Sequence, residues 1–291
     1  MAQEIGLLRS STLDKYYTKD YIASQCVDKV KQFVDIDEKR DIVMEPSAGD
    51  GVFIPFLKKL SQNTLFIDIS PGHPEVVRKD FLTYIPYPED EDKEENKEDE
   101  KKIHIIGNPP FGRQSSLAIQ FIKKAAMFAS TISFILPRSF KKESMRQKFN
   151  PYFHLIYEED LRENSFLVNG EEYNVPCVFQ IWEKRNEPRE IPEKLVPAGF
   201  LFVKKDEDPD VAFRRVGVYA GTFDPSIQEK SVQSHYFIRF DRKVIPPGKI
   251  QRLIGDLKKL TFDGENTVGP KSVSKQELLE KMNVVVEKYK K

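Results

Sequence analysis

The sequence predicts an α/β fold: a mostly parallel sheet with helices on both faces, ending in a C-terminal antiparallel hairpin and followed by a small α+β extension. Two observations carry this. Between residues 20 and 137, short apolar runs bounded by turn residues alternate with stretches of helical spacing, the order expected of parallel strands and crossover helices. After Pro151 two strand-like runs follow each other closely, near enough in the chain to pair antiparallel at the sheet edge.

Residues 20–34, DYIASQCVDKVKQFV, place Ile22, Val27, Val30 and Phe33 or Val34 on one helical stripe. DIVMEPSAGDG (41–51) then reads as a short buried strand ending in a tight turn, and VFIPFLKKL (52–60) as the next helix. TLFIDIS (64–70) is a second strand and VVRKDFL (76–82) a weaker third. IHII (103–106) is the fourth, stopped by Pro109 and Pro110. Proline cannot donate to a β-ladder, and its fixed φ sends the chain out of the sheet as a stiff loop. SLAIQFIKKAAMFA (116–129) has helical spacing, and TISFILP (131–137) is the fifth strand, so right-handed crossovers follow. FHLIYEEDL (153–161) and VPCVFQIWEKR (175–185) are the antiparallel runs; between them, Asn169-Gly170 signals a hairpin turn. Beyond residue 192, three β-like stretches precede two amphipathic segments at 250–260 and 275–291.

The 291 residues suit one large domain, expected at 1–187, with a smaller one at 188–291. The net charge of zero hides an asymmetry, because residues 89–102 hold nine acids and four bases while residues 189–291 hold fifteen acids and twenty bases. A block of like charges cannot build a core, so 86–102 is expected as a solvated insertion loop. Two cysteines, Cys26 and Cys177, are too few for a disulfide framework and have no metal-ligand spacing. His73, His104, His154 and His235 show no metal or triad spacing, so no metal is expected. With no signal-peptide core and no apolar run of about 18 residues, the expectation is a soluble intracellular protein of the cytoplasm or nucleus, with no membrane partner.

Four segments carry chemistry. In EPSAGDG, Gly49 and Gly51 let backbone N–H groups approach a ligand, but the spacing is not that of the dinucleotide fingerprint. Glu45 suits a cationic ligand better than a pyrophosphate. Asp68, at the tip of the second strand, can hold two ribose hydroxyls, and Asp80, at the tip of the third, can accept from a purine amino group. Each of these acids is also a common turn residue. The fourth segment is NPPFG. An amine on a flat conjugated ring has its lone pair delocalised into the ring, so making it a nucleophile requires acceptors aimed at its two N–H bonds. Asn108 offers a side-chain carbonyl, and Pro109 a backbone carbonyl whose direction Pro110 fixes. Phe111 offers a face for base stacking.

In this order, EPSAGDG, Asp68, Asp80 and NPPFG resemble the class I S-adenosylmethionine-dependent methyltransferases, and more narrowly the amino-methyltransferases with an N-P-P-F/Y/W motif, which include adenine-N6 DNA and RNA enzymes. The resemblance covers roughly residues 11–185 and implies a Rossmann-like sheet with S-adenosyl-L-methionine as cofactor. It implies Asn108, Pro109, Pro110 and Phe111 as catalytic, and Tyr17, Thr18, Glu45, Ser47, Gly49, Gly51, Asp68, Asp80 and Asn108 as cofactor-binding. LDKYYTKDYIA (13–23) is similar to the element that closes over the methionine end, which brings Tyr16 there with Tyr17 and Thr18.

The expected partner is a nucleic acid, DNA or RNA. Arg138 could contact phosphate or form an ordinary ion pair. Arg214, Arg215, Tyr219, Tyr236, Phe237 and Arg239 could track a backbone and stack on bases, or the aromatics could serve the extension's own core. Two alternatives stay open: a protein glutamine amide as acceptor, or a non-catalytic binding partner of similar fold.

Overall fold

The computed structural model describes residues 16–86, 101–262 and 271–291. Residues 13–15 of the LDKYYTKDYIA element and residues 87–100 of the expected acidic loop lie outside the described residues. The chain divides into two compact units, Met1–Ile191 and Pro192–Lys291.

In the first unit the elements run β1 (Tyr17–Thr18), α1 (Asp20–Phe33), β2 (Ile42–Glu45), α2 (Ile54–Leu57), β3 (Asn63–Asp68), β4 (Val77–Arg78) and β5 (Ile103–Gly107). They continue with α3 (Ser116–Ala125), β6 (Thr131–Pro137), α4 (Glu143–Arg146), β7 (Phe153–Asp160), β8 (Phe166–Val168), β9 (Glu171–Tyr173) and β10 (Cys177–Lys184). Seven strands form the main sheet in the order β4-β3-β2-β5-β6-β10-β7. The first five are parallel, and β10 is antiparallel to both of its neighbours. The expected Rossmann-like architecture is present. Its antiparallel pair differs in one respect: the later strand, β10, enters the sheet, and β7 takes the edge. Composition explains the order, since β10 is buried from Cys177 to Trp182 whereas β7 carries Glu158, Glu159 and Asp160.

Central strands β5 and β6 are buried at every residue, as parallel strands covered on both faces must be. Ala118, Phe121, Ile122 and Ala125 of α3 pack on them. The helix expected at 52–60 is shorter than its apolar pattern, a single turn at Ile54–Leu57. A separate three-stranded sheet, β1-β8-β9, was not expected. Asn169 and Gly170 do form its hairpin turn, with φ of 52° and 82°.

The second unit is α+β. Strands β11 (Phe200–Val203), β12 (Val211–Arg214), β13 (Phe223–Asp224) and β14 (His235–Phe240) form an antiparallel sheet in the order β11-β14-β12-β13. Helices α5 (Ile250–Leu257) and α6 (Lys275–Glu287) share one apolar core with it, including Phe200, Phe213, Ile238, Leu253 and Met282. No described helix is long and apolar enough to cross a membrane.

Candidate active site

A cavity of about 400 Å³ opens at the carboxyl ends of the parallel strands of the first unit, where open α/β sheets bind ligands. Glu45 ends β2, Asp68 ends β3, Asp80 follows β4 and Asn108 follows β5; all four line it. So do Tyr17, Thr18, Ser47, Gly49, Pro109 and Pro110. Residues spread over more than ninety positions therefore share one space because the strands that carry them are neighbours.

The acidic wall is built by backbone hydrogen bonding. Asp68 accepts from the Gly49 N–H at 2.9 Å and, through its other oxygen, from the Ser70 N–H at 2.7 Å. It thus holds the glycine turn in place while facing the cavity. Asp80 accepts from the Leu82 N–H at 2.9 Å. Glu45 differs from both: it is 2% exposed, and its Oε2 has no hydrogen-bond partner. Burial, reinforced by the nearby Asp68 charge, pushes its carboxyl well above the usual carboxylate range. It packs against Gly107, where a Cβ would come within 3.1 Å of the Glu45 Cγ, so no larger residue fits there without displacing the acid.

Asn108 follows Gly107 at the end of β5, the strand that pairs with β2. Its Nδ2 donates to the Tyr16 carbonyl at 3.0 Å and to the Thr18 hydroxyl at 3.1 Å. A backbone carbonyl can only accept, which fixes the amide orientation. Oδ1 is then the other end of the amide, buried and without a partner. The Asn108 backbone carbonyl accepts from the Ser47 hydroxyl at 3.1 Å, tying the NPPF loop to the glycine turn. Pro109 and Pro110 carry no N–H, so neither can donate here, and each offers only its carbonyl.

The β1-β8-β9 sheet supplies the anchor for that amide. Thr18 pairs with Phe166 and Tyr17 with Leu167, and the Lys19 N–H donates to the Ser165 carbonyl at 3.1 Å. Lys19 also bridges Glu172 at 2.5 Å. Tyr16 lines the cavity and lies in an aromatic group: 5.7 Å from Tyr173 and nearly parallel to it, 5.8 Å from Phe111, and edge-on to Phe166 at 6.2 Å.

Two expectations change. Phe111 does not face the cavity; it is 5% exposed, its ring lies against Tyr16, and its carbonyl accepts from the Leu117 and Ala118 N–H groups at the start of α3. It anchors the loop, and Tyr16, which it backs, is among the aromatics that line the space. Gly51 does not line the cavity either; with φ of 80° it turns the chain beneath, where a Cβ would meet His73 and Ile54 at 2.8 Å. Arg138 takes its ion-pair reading, 3.6 Å from Asp160, which Lys141 also contacts at 3.0 Å. Of the histidines, His104 is a satisfied core residue between Thr131 (2.8 Å) and Asp41 (3.2 Å). Among the described residues, no three metal-ligating side chains group together.

No protein-family model matches the sequence, and no curated protein matches it. Solved structures resemble the chain at low identity. One from Pyrococcus horikoshii, described as a candidate RNA methyltransferase, has 14% identity and a TM-score of 0.43 over 62% of this chain and 97% of its own. The 23S rRNA methyltransferase ErmE has 17% identity and a TM-score of 0.41 over 59% of this chain and 71% of its own. A candidate class I S-adenosylmethionine-dependent methyltransferase from Listeria monocytogenes has 12% identity and a TM-score of 0.45 over 66% and 68%. These likenesses describe the sheet and nothing finer.

Proposed function

We propose that the first unit is an S-adenosylmethionine-dependent methyltransferase that acts on the exocyclic N6 amine of adenine in nucleic acid. One observation carries the reading: the Asn108 amide is anchored by its nitrogen, which leaves Oδ1 buried and unpartnered beside two residues that cannot donate. A buried acceptor without a partner is costly, about 1–3 kcal/mol, and an incoming N–H bond removes that cost. A ligand group that brings its own N–H donors and no charge suits this corner; a phosphate or carboxylate does not.

The residues present also fit the cofactor. Glu45 is a buried carboxylate with an unpartnered oxygen, and Asp68 and Asp80 share its wall, so the cavity favours a cationic ligand that bears hydroxyl and amino donors. Tyr17, Thr18, Ser47 and Gly49 would complete the holding set. When bound, the cofactor supplies an electrophilic methyl group on a positively charged sulfur. Asn108 Oδ1 would accept one amine N–H, and the Pro109 carbonyl the other, which orients the nitrogen and favours its tetrahedral form. No charged general base is required, because the amine's proton becomes acidic only as the new bond forms. Tyr16, backed by Phe111 and Tyr173, is an aromatic surface on which the base could stack, and a duplex target would have to be flipped out to reach it.

The test is incubation with methyl-labelled cofactor and total RNA, DNA and protein, followed by nucleoside and amino-acid analysis. Label in N6-methyladenosine or its deoxy form is the expected result. Label in protein glutamine would move the acceptor while keeping the chemistry, and absence of cofactor binding by calorimetry would sink the enzyme reading altogether.

A further inference from the structure

The second unit carries a feature that the methyl-transfer chemistry does not use. At one end of its sheet β11 stops at Val203, paired with Phe237, while β14 begins two residues earlier at His235. The gap beside the start of β14 is an open groove of about 990 Å³. Its lining combines two chemistries. Val203, Ile227 and Val232, the last 65% exposed, supply apolar surface. Lys204, Lys205 and Lys275 supply positive charge.

The cations are held in place. Lys275 lies 4.5 Å from the Phe202 ring centre and 5.4 Å from that of Tyr236, and Arg215 approaches the same tyrosine at 5.5 Å. Lys205 donates to the Gln228 carbonyl at 2.7 Å. Among the described residues, neither Lys204 nor Lys275 has a carboxylate within ion-pair distance. Of the two acids in the groove, Glu207 turns its carboxylate onto the Lys204 backbone N–H at 2.6 Å, and Asp206 is exposed. Three lysines against these two acids leave the groove net positive.

We propose that this groove binds single-stranded nucleic acid, with phosphates along the lysines and bases against Val203, Ile227 and Val232. The proposal rests on the nucleic-acid reading above and names the part of the second unit that would hold the strand. A single strand has both faces the groove requires, one anionic and one apolar. A duplex hides its bases, and an acidic peptide without aromatic side chains has no apolar planar face to offer. The rings of Phe202 and Tyr236 serve here to position cations, since Lys275 and Arg215 already occupy their surroundings.

The experiment is fluorescence anisotropy of the full chain, without cofactor, on labelled single-stranded RNA and DNA and on the matching duplex, across a salt series. Wild type should favour single strands over duplex. Lys204→Glu with Lys275→Glu should weaken single-strand binding at least about tenfold and flatten the salt slope by about 1.4, at about 0.7 for each phosphate no longer neutralised. A glutamate at the first position of α6 complements the helix dipole, so this variant retains its fold. Lys31→Glu with Lys123→Glu, the same charge change on the first unit, should leave affinity within about twofold. Val232→Ser should weaken single-strand binding without changing the slope. Equal binding of duplex, an unchanged slope in the lysine variant, or equally effective competition by polyglutamate would each overturn the proposal. The two readings separate in one further assay: methyl transfer to RNA or DNA by the groove variant at unchanged KM would sink the groove and keep the chemistry. Single-strand binding at the groove by a protein that methylates nothing would do the reverse.

Discussion

Two buried acids flank the same strand and have opposite environments. Asp41 immediately precedes β2 and Glu45 ends it; they are 5% and 2% exposed. Burial pushes the Asp41 carboxyl up, but the Asp37 N–H at 2.8 Å, His104 at 3.2 Å and the Lys102 N–H at 3.2 Å outweigh it, and the group stays below the usual carboxylate range. Glu45 has no such set; burial and the Asp68 charge both raise it, and Oε2 has no partner. The amino end of the strand is wired for stability, and the carboxyl end keeps an unmet electrostatic demand that a cation can meet. On this strand, the acid that the chain satisfies shapes the structure, and the one left unmet lines the cavity where a ligand can bind.

The strongest way to break this contrast is Asn108, which lines the same cavity and whose Oδ1 is also unpartnered. Asn108→Ala removes an acceptor used mostly as the new bond forms, so turnover should fall by about 10²–10³-fold while cofactor affinity stays within a few fold. Methyl incorporation and calorimetry measure the two separately. Asp68→Ala should do the reverse, raising the cofactor dissociation constant about 10- to 100-fold, because it removes charged acceptors and loosens the Gly49 turn. Equal loss of cofactor binding in both variants would refute this division of roles.

Asp41→Asn should destabilise by about 1–3 kcal/mol in chemical denaturation, since the buried His104 and two part-buried N–H groups lose a charged acceptor. The sign of its pH dependence follows from the lowered carboxyl. The contribution is present above the unfolded acid's ordinary range and disappears as pH falls through the folded one. Wild type and Asp41→Asn should therefore converge in stability in acid.

Glu45→Gln sharpens the comparison with the smallest effect. A raised carboxyl costs the folded state more as pH climbs above the ordinary carboxylate range, so the variant should be at least as stable as wild type near neutrality, with an advantage that vanishes in acid. Affinity for the cationic cofactor should drop about tenfold, the equivalent of about 1.4 kcal/mol, with little change for its neutral demethylated product. A Glu45→Gln protein less stable than wild type at neutral pH would show that the free acid is not an unmet group.

Much of the fold was legible because its signals are local. Apolar runs of strand length at 42–45, 103–107 and 131–137 and the helical stripes at 20–33 and 116–125 are set by residues a few positions apart. The glycine turn and the prolines announced loops for the same reason. The order of β10 and β7 was not legible, since it depends on which strand other elements bury. Phe111 reads in the sequence as a stacking face because a motif gives residue identity but not the direction of a ring. The pairing of β8 with β1 links residues about 150 positions apart, and nothing near Tyr17 signals Phe166.

By itself, then, the sequence determined where each strand stops and which acids and amide stand at those stops, because strand ends and turns are short-range properties. Only the tertiary structure decided which of those groups would be satisfied. The distant β8-β9 hairpin pairs with β1, β1 captures the nitrogen of Asn108, and that capture leaves the amide oxygen without a partner. Burial does the same for Glu45. Whether a polar atom is met or unmet is a property of everything packed around it, and only the folded chain brings those neighbours together.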